Sequence, residues 1–153
     1  VGISVIPHKM DLLVWRGTSF ELELVSQVKK FLFDHAIHNS QADMKRTHAE
    51  NLALYGYVWE YVDFSALYTE ANLVVMRPWE QQTEEHREPL LQLTSLNRDI
   101  ELTANSVKIG IAAQDTQGLC FDKGVYSLRL TTLAGKIDGL VYGVMQVKGD
   151  KCC

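Results

Sequence analysis

The chain has 153 residues and a mass of 17.3 kDa, the size of one domain that can bury a core without disulfide or metal staples. Apolar residues at 46% and charged residues at 22% exclude a disordered chain, and a net charge of −4 argues against nucleic acid as a main partner. No apolar run approaches the roughly 18 residues that span a bilayer, so no membrane span is expected.

The opening VGISVIPHKM lacks the basic flank and small-residue cleavage site of a signal peptide. It predicts an extended arm over about residues 1–10, or a first strand that ends at Pro7. Asp11 to Arg16 (DLLVWR) follows as a strand. The Gly17-Thr18-Ser19 join then predicts a tight turn or bulge into a pairing strand from Phe20 to Val25. There Phe20, Leu22 and Leu24 share one face and Glu21 and Glu23 the other, the period of a strand with one wet face.

Residues 26–54 break this style and read as an insertion. VKKFLFDHAIHN reads as either a strand or an apolar helical turn, since Phe31, Phe33 and Ile37 fit neither period cleanly. Asn39 or Ser40 then offers an N-cap to one sizeable helix from Ser40 to Tyr55, with Met44, His48 and Leu52 recurring along it and Gly56 as its stop. Such an excursion from a β framework is where partner contacts are often placed. Lys29-Lys30 and Lys45-Arg46 are the densest basic spots and read as solvated surface.

The β pattern resumes at YVWEYV, Tyr57 to Val62. Tyr55, Tyr57, Trp59 and Tyr61 alternate, which puts their rings on one face. Burial as a sandwich core contribution is the expectation, because the opposite face carries Glu60; an exposed protein-docking or sugar-binding platform is the alternative. Asp63 can close a turn through its own backbone. ANLVVMR, LLQLT, IELT and VKIGIA then read as short strands, the later ones joined by turns at Asn97-Arg98-Asp99 and Ala104-Asn105-Ser106. A hydrophilic loop from Pro78 to Pro89 interrupts them, and AAQDTQGL predicts one helical turn. VYSLRLTTL and IDGLVYGVMQV close the series as a hairpin through Ala134-Gly135-Lys136. The fold class expected is mainly β: an antiparallel β-sandwich of one domain, 1–153, with one inserted helix.

Little of this looks like catalytic chemistry. His35, His38 and His48 lack the further ligands of an HExxH or CxxC site, so no metal and no cofactor is expected. Glu80, Glu84, Glu85 and Glu88 sit in a loop too hydrophilic to raise a carboxyl pKa for general acid work. Ser19, Ser65 and Ser127 lack the glycines of a nucleophile elbow. Cys120, between Leu119 and Phe121, reads as a small core residue, and Cys152-Cys153 as incidental thiols of a tail; synthesis in a reducing compartment follows.

Taken in order, the segments resemble a β-sandwich module of tailed bacteriophages, found in the N-terminal domain of baseplate upper proteins and in small virion proteins of T4-like phages. The counterparts of its turns and strands are Arg16-Gly17-Thr18, Asp63-Phe64-Ser65-Ala66, Arg77, Ala113-Gln114-Asp115-Thr116, Tyr126-Ser127-Leu128 and Gly143-Val144-Met145-Gln146-Val147. Ala66 stands where that module has a turn glycine and Ser127 where it has an aspartate. The resemblance implies a non-enzymatic structural protein of a phage tail or baseplate, made in the host cytoplasm and located in the virion. It implies several symmetric copies, with other tail or baseplate proteins as partners. On this reading the docking surface comprises Tyr55, Tyr57, Trp59, Tyr61, Met44 and His48. A carbohydrate- or ligand-binding sandwich that uses the Tyr57, Trp59 and Tyr61 row is the alternative.

Overall fold

The structure is a computed structural model that describes residues 8–79, 82 and 87–151. Its strands in chain order are β1 (His8–Lys9), β2 (Leu12–Trp15), β3 (Phe20–Leu24), β4 (Gln27–Phe31), β5 (Tyr57–Tyr61), β6 (Tyr68–Met76), β7 (Leu91–Thr94), β8 (Ile100–Leu102), β9 (Val107–Ile111), β10 (Lys123–Thr132) and β11 (Ile137–Lys148). Its helices are α1 (Gln41–Lys45), α2 (His48–Tyr55), α3 (Phe64–Leu67) and α4 (Ala113–Gln117). The chain divides into two compact units, Val25–Val62 and the remainder.

Strand β10 shows why the larger unit is a sandwich. Tyr126, Leu128 and Leu130 are buried while Lys123, Val125 and Arg129 face water, the two-residue period that commits one face to a core. The main sheet has the order β1-β11-β10-β6-β7, with β2 also on β11; a smaller sheet has the order β3-β9-β8. Leu73, Val75, Leu128 and Met145 of the first and Ile100, Val107 and Ile109 of the second are at most 2% exposed. The two inner faces thus share one core, as aligned sheets do. The β10–β11 hairpin turns through Ala134-Gly135-Lys136 with Gly135 at φ 86°, a conformation that glycine adopts without strain.

Three expectations are corrected in this unit. The Gly17-Thr18-Ser19 join does not connect pairing strands: β2 pairs with β11 and β3 with β9. It is a corner that carries the chain from one sheet to the other, with Gly17 at φ 80°. The corner is tied to the predicted helical turn α4, because the Thr116 hydroxyl lies 2.7 Å from the Thr18 carbonyl oxygen.

The sheet is also not wholly antiparallel, since β1 and β2 both run parallel to β11. They are one edge strand interrupted at Met10-Asp11. The Met10 amide donates to Tyr142 (2.8 Å), and the Asp11 carboxylate accepts from the Val144 amide (3.0 Å). A Cβ on Gly143 would overlap the Met10 carbonyl, so only glycine lets the edge cross here. The expected first strand ending at Pro7 falls outside the described residues, and the arm ends in β1.

Cys120, expected in the core, is exposed and disulfide-bonded. Leu119 takes the buried position before it, and Cys120 faces outward. The other cysteines of the chain, Cys152 and Cys153, lie outside the described residues.

Burial also sets an alkaline limit on this unit. The Tyr68 and Tyr126 phenols are pushed up to about 12, first by burial and then by the charges of Asp138 and Asp11 respectively. Tyrosine in an unfolded chain ionises near pH 10. The native value is the higher one, so the associated stability is complete below about pH 10 and is lost as the pH rises toward about 12. Urea unfolding at stepped alkaline pH is expected to show stability falling across that window, with a shallower fall in Tyr68→Phe. A flat wild-type profile would contradict the assignment.

Candidate functional site

The smaller unit, Val25–Val62, holds a two-stranded ribbon, β4 against β5, and the helices α1 and α2. The single helix expected from Ser40 to Tyr55 is two helices, because Thr47 starts a second N-cap inside it. Ser40 caps α1 with Asp43, and Thr47 caps α2 with Glu50, each as a reciprocal capping box. Gly56 ends α2 at φ 75°, as expected of a stop glycine. The break dissolves the Met44-His48-Leu52 stripe: Met44 is 77% exposed on α1, and His48 is exposed at the start of α2.

Asp43 organises the helices. It accepts hydrogen bonds from the Tyr55 hydroxyl (2.8 Å) and the Ser40 hydroxyl (2.8 Å), and it pairs with Arg46. Arg46 also donates to Asn51 (2.8 Å), whose side-chain amide returns to the Asp43 carbonyl (2.9 Å). The Tyr55 hydrogen bond is the main cause that holds the Asp43 carboxyl below its usual range. Tyr55 is therefore a helix residue locked by its hydroxyl, and it is not on the strand face with the other rings. It stacks on His38 at 4.1 Å, while Phe33 lies between Tyr55 and the stacked pair His35 and His48. Among the described residues no group of three or more His, Cys, Asp or Glu is placed to hold a metal ion.

The ribbon contradicts the expected burial of the aromatic row. Every residue of β5 is exposed, Tyr57 at 45%, Trp59 at 56% and Tyr61 at 51%. The register sets Phe31 opposite Tyr57, Lys29 opposite Trp59 and Gln27 opposite Tyr61, so these six side chains share one face. Lys29 Nζ sits 4.4 Å from the Tyr57 ring centroid and 5.6 Å from that of Trp59. The other face carries Val28, Lys30, Val58 and Glu60, with Lys30 and Glu60 4.0 Å apart. Within this unit nothing covers either face. About half of the exposed large apolar side chains among the described residues belong to it.

Sequence reasoning found Tyr57, Trp59 and Tyr61 but missed Phe31 and Lys29, because the signal that β4 is a strand came only through its pairing with β5. The back-to-back capping boxes were legible as Ser40-x-x-Asp43 and Thr47-x-x-Glu50. Of the acidic loop, Glu80, Glu84 and Glu85 lie outside the described residues, and Glu88 is exposed. The larger unit has an open groove of about 1190 Å³ over its small sheet, lined by Glu21, Glu23, Arg98, Asp99, Glu101 and Lys108 among others. Residues from both faces of the small sheet and from β7 line it, with Leu22, Leu93, Ile109 and Ile111 beside the charged ones. It is not an apolar pocket with converging polar groups. No protein-family model matches the chain, and no curated protein matches it.

Proposed function

We propose that the protein is a non-enzymatic structural component of a phage tail or baseplate, an adaptor whose sandwich is scaffold and whose ribbon docks a neighbouring tail or fibre protein. The observation that carries the docking role is the exposed face of Phe31, Tyr57, Trp59 and Tyr61 around Lys29. Solvent-exposed rings interleaved with a cation are the composition of protein-interface hot spots. The phage assignment rests on the order of turns and strands from Arg16-Gly17-Thr18 to the Gly143–Val147 strand.

Ring geometry favours a protein over a sugar on this face. Tyr57 and Trp59 are perpendicular, at 88°, and Lys29 occupies the ring faces that a pyranose would stack on. A flat, continuous stacking platform is therefore missing from the ribbon.

Mass spectrometry of purified phage particles is expected to detect the chain; its absence from intact particles would sink the reading. Trp59→Ala is expected to weaken binding to purified tail components by about 2 kcal/mol or more, roughly thirtyfold. Its folding stability should stay within about 0.5 kcal/mol, because the side chain it removes is exposed. Glycan-array binding that Trp59→Ala abolishes would instead favour a sugar ligand.

A further inference from the structure

The ribbon has an open edge as well as an open face, and its hydrogen-bond phase shows which groups lie there. Val62 N donates to Ser26 O (2.8 Å) and Leu32 N donates to Gly56 O (3.1 Å), which makes 26/62 and 32/56 hydrogen-bonded pairs. Pairs alternate in an antiparallel ladder, so 28/60 and 30/58 are bonded as well, while 27/61, 29/59 and 31/57 are not. The backbone N–H and C=O groups of Tyr57, Trp59 and Tyr61 therefore point away from β4. Among the described residues they meet no hydrogen-bond partner. The same three residues supply the exposed rings.

An edge of this kind is a template for another strand unless lysine, proline or a bulge guards it. β4 is guarded by Lys29 and Lys30, whereas β5, YVWEY, carries no lysine and no proline. We propose that a second copy of this chain adds to β5 through its own β5, antiparallel and centred on Trp59. This names one partner of the docking ribbon and rests on the adaptor reading above.

The sequence of β5 suits a two-fold partner. Centred on Trp59, Tyr57 of one copy faces Tyr61 of the other, and Trp59 faces its own counterpart. Each of these is a position whose backbone groups are turned outward. Val58 faces Glu60, so no like charges stand opposite each other. The equivalent self-pairing of β4 would set Lys29 against Lys29. The unit as a whole is also neutral: Lys29, Lys30, Lys45 and Arg46 balance Asp34, Asp43, Glu50 and Glu60, so the −4 excess of the chain lies in the remainder. Two copies meeting through β5 form a four-stranded sheet with a continuous aromatic face and an isologous interface.

Sedimentation velocity of the full-length protein tests this. Wild type is expected to form a concentration-dependent dimer. Trp59→Pro removes an outward N–H without touching the β4 ladder, and it is expected to raise the dimer dissociation constant at least tenfold. Val58→Glu provides a second route, because it places a carboxylate opposite Lys30 within the ribbon but opposite Glu60 across the proposed interface. It should fold at least as well as wild type and still dissociate the dimer at least tenfold more readily. A wild-type protein that stays monomeric at ~100 µM, far above the dissociation constant of a specific dimer, overturns the proposal. So does a dimer that survives Val58→Glu. A monomeric wild type whose binding to tail components still falls in Trp59→Ala would overturn the strand addition alone and leave the adaptor reading standing.

Discussion

Replacing Arg16 with alanine is expected to lower the stability of the larger unit by about 2–5 kcal/mol, because hydrogen bonds from a charged donor are worth about 1.5–3 kcal/mol each and this buried guanidinium makes several. The Arg16 side chain is 2% exposed, and every arm of its guanidinium is used. Nε donates to the Leu119 carbonyl (2.8 Å), one terminal nitrogen to Gly149 (2.7 Å), and the other to Phe121 (2.7 Å) and the Asp122 carboxylate (3.2 Å). These acceptors come from the segment after α4 and from the end of β11, so a single side chain from the sheet-to-sheet corner ties both to β2. Alanine leaves carbonyls without donors, and each such buried group costs about 1–3 kcal/mol. The chain end loses one of its anchors as well; Gln117 to the Asp150 carbonyl (3.1 Å) and Lys151 to Asp122 (3.0 Å) remain. Arg16→Lys keeps the charge but not the planar fork, so it is expected to recover only part of the loss. In urea the alanine variant should unfold about 1–3 M earlier, taking a slope of about 2 kcal/mol per molar. An unchanged midpoint would show that the guanidinium contacts are not formed in solution.

Phe64→Ala is the second large effect, expected at about 3–5 kcal/mol. Phe64 opens α3, is fully buried, and lies against Tyr68 with ring centroids 6.1 Å apart. Its place is set by Asp63, whose carboxylate caps the helix by accepting from the Ala66 amide (3.0 Å) and the Ser65 hydroxyl (2.6 Å). The ring thus enters the core at the first turn after the inserted unit. Truncation removes its contacts and leaves a cavity that a close-packed core closes only in part. Thermal unfolding should fall by roughly 6–20 °C, at about 2–4 °C per kcal/mol for a chain of this size. Trp59→Ala, which removes a larger but exposed ring, is the control that should leave the transition in place.

Much of the local structure was legible because chemistry within a few residues decides it. Gly135 turned where a hairpin needs a positive φ, Ser40 capped α1, and Gly56 stopped α2. Arg98 adopts φ 65° in the turn predicted around it. The role of Arg16 was not legible, because its partners lie more than 100 residues away and all but the Asp122 carboxylate are backbone carbonyls, which every residue has. The reason for Gly143 was equally hidden: its neighbour is the Met10 carbonyl, brought there by the parallel edge.

The aromatic row is where local reasoning failed. Tyr57, Trp59 and Tyr61 alternate in the same way whether their face is covered or bare, since tyrosine and tryptophan suit both a core and a wet interface. Alternation makes a strand and assigns its faces. It does not say what lies across from either face.

By itself, then, the sequence determined the mainly β class, most strand segments of the sandwich and the hairpin and cap positions, because these depend on periods and backbone preferences within a few residues. Only the tertiary structure decided that β2 and β3 part into different sheets, that the chain's edge runs parallel to β11, and that β5 belongs to the inserted unit with its rings in water. Each of those depends on which distant segment supplies the next hydrogen bond or the next covering side chain.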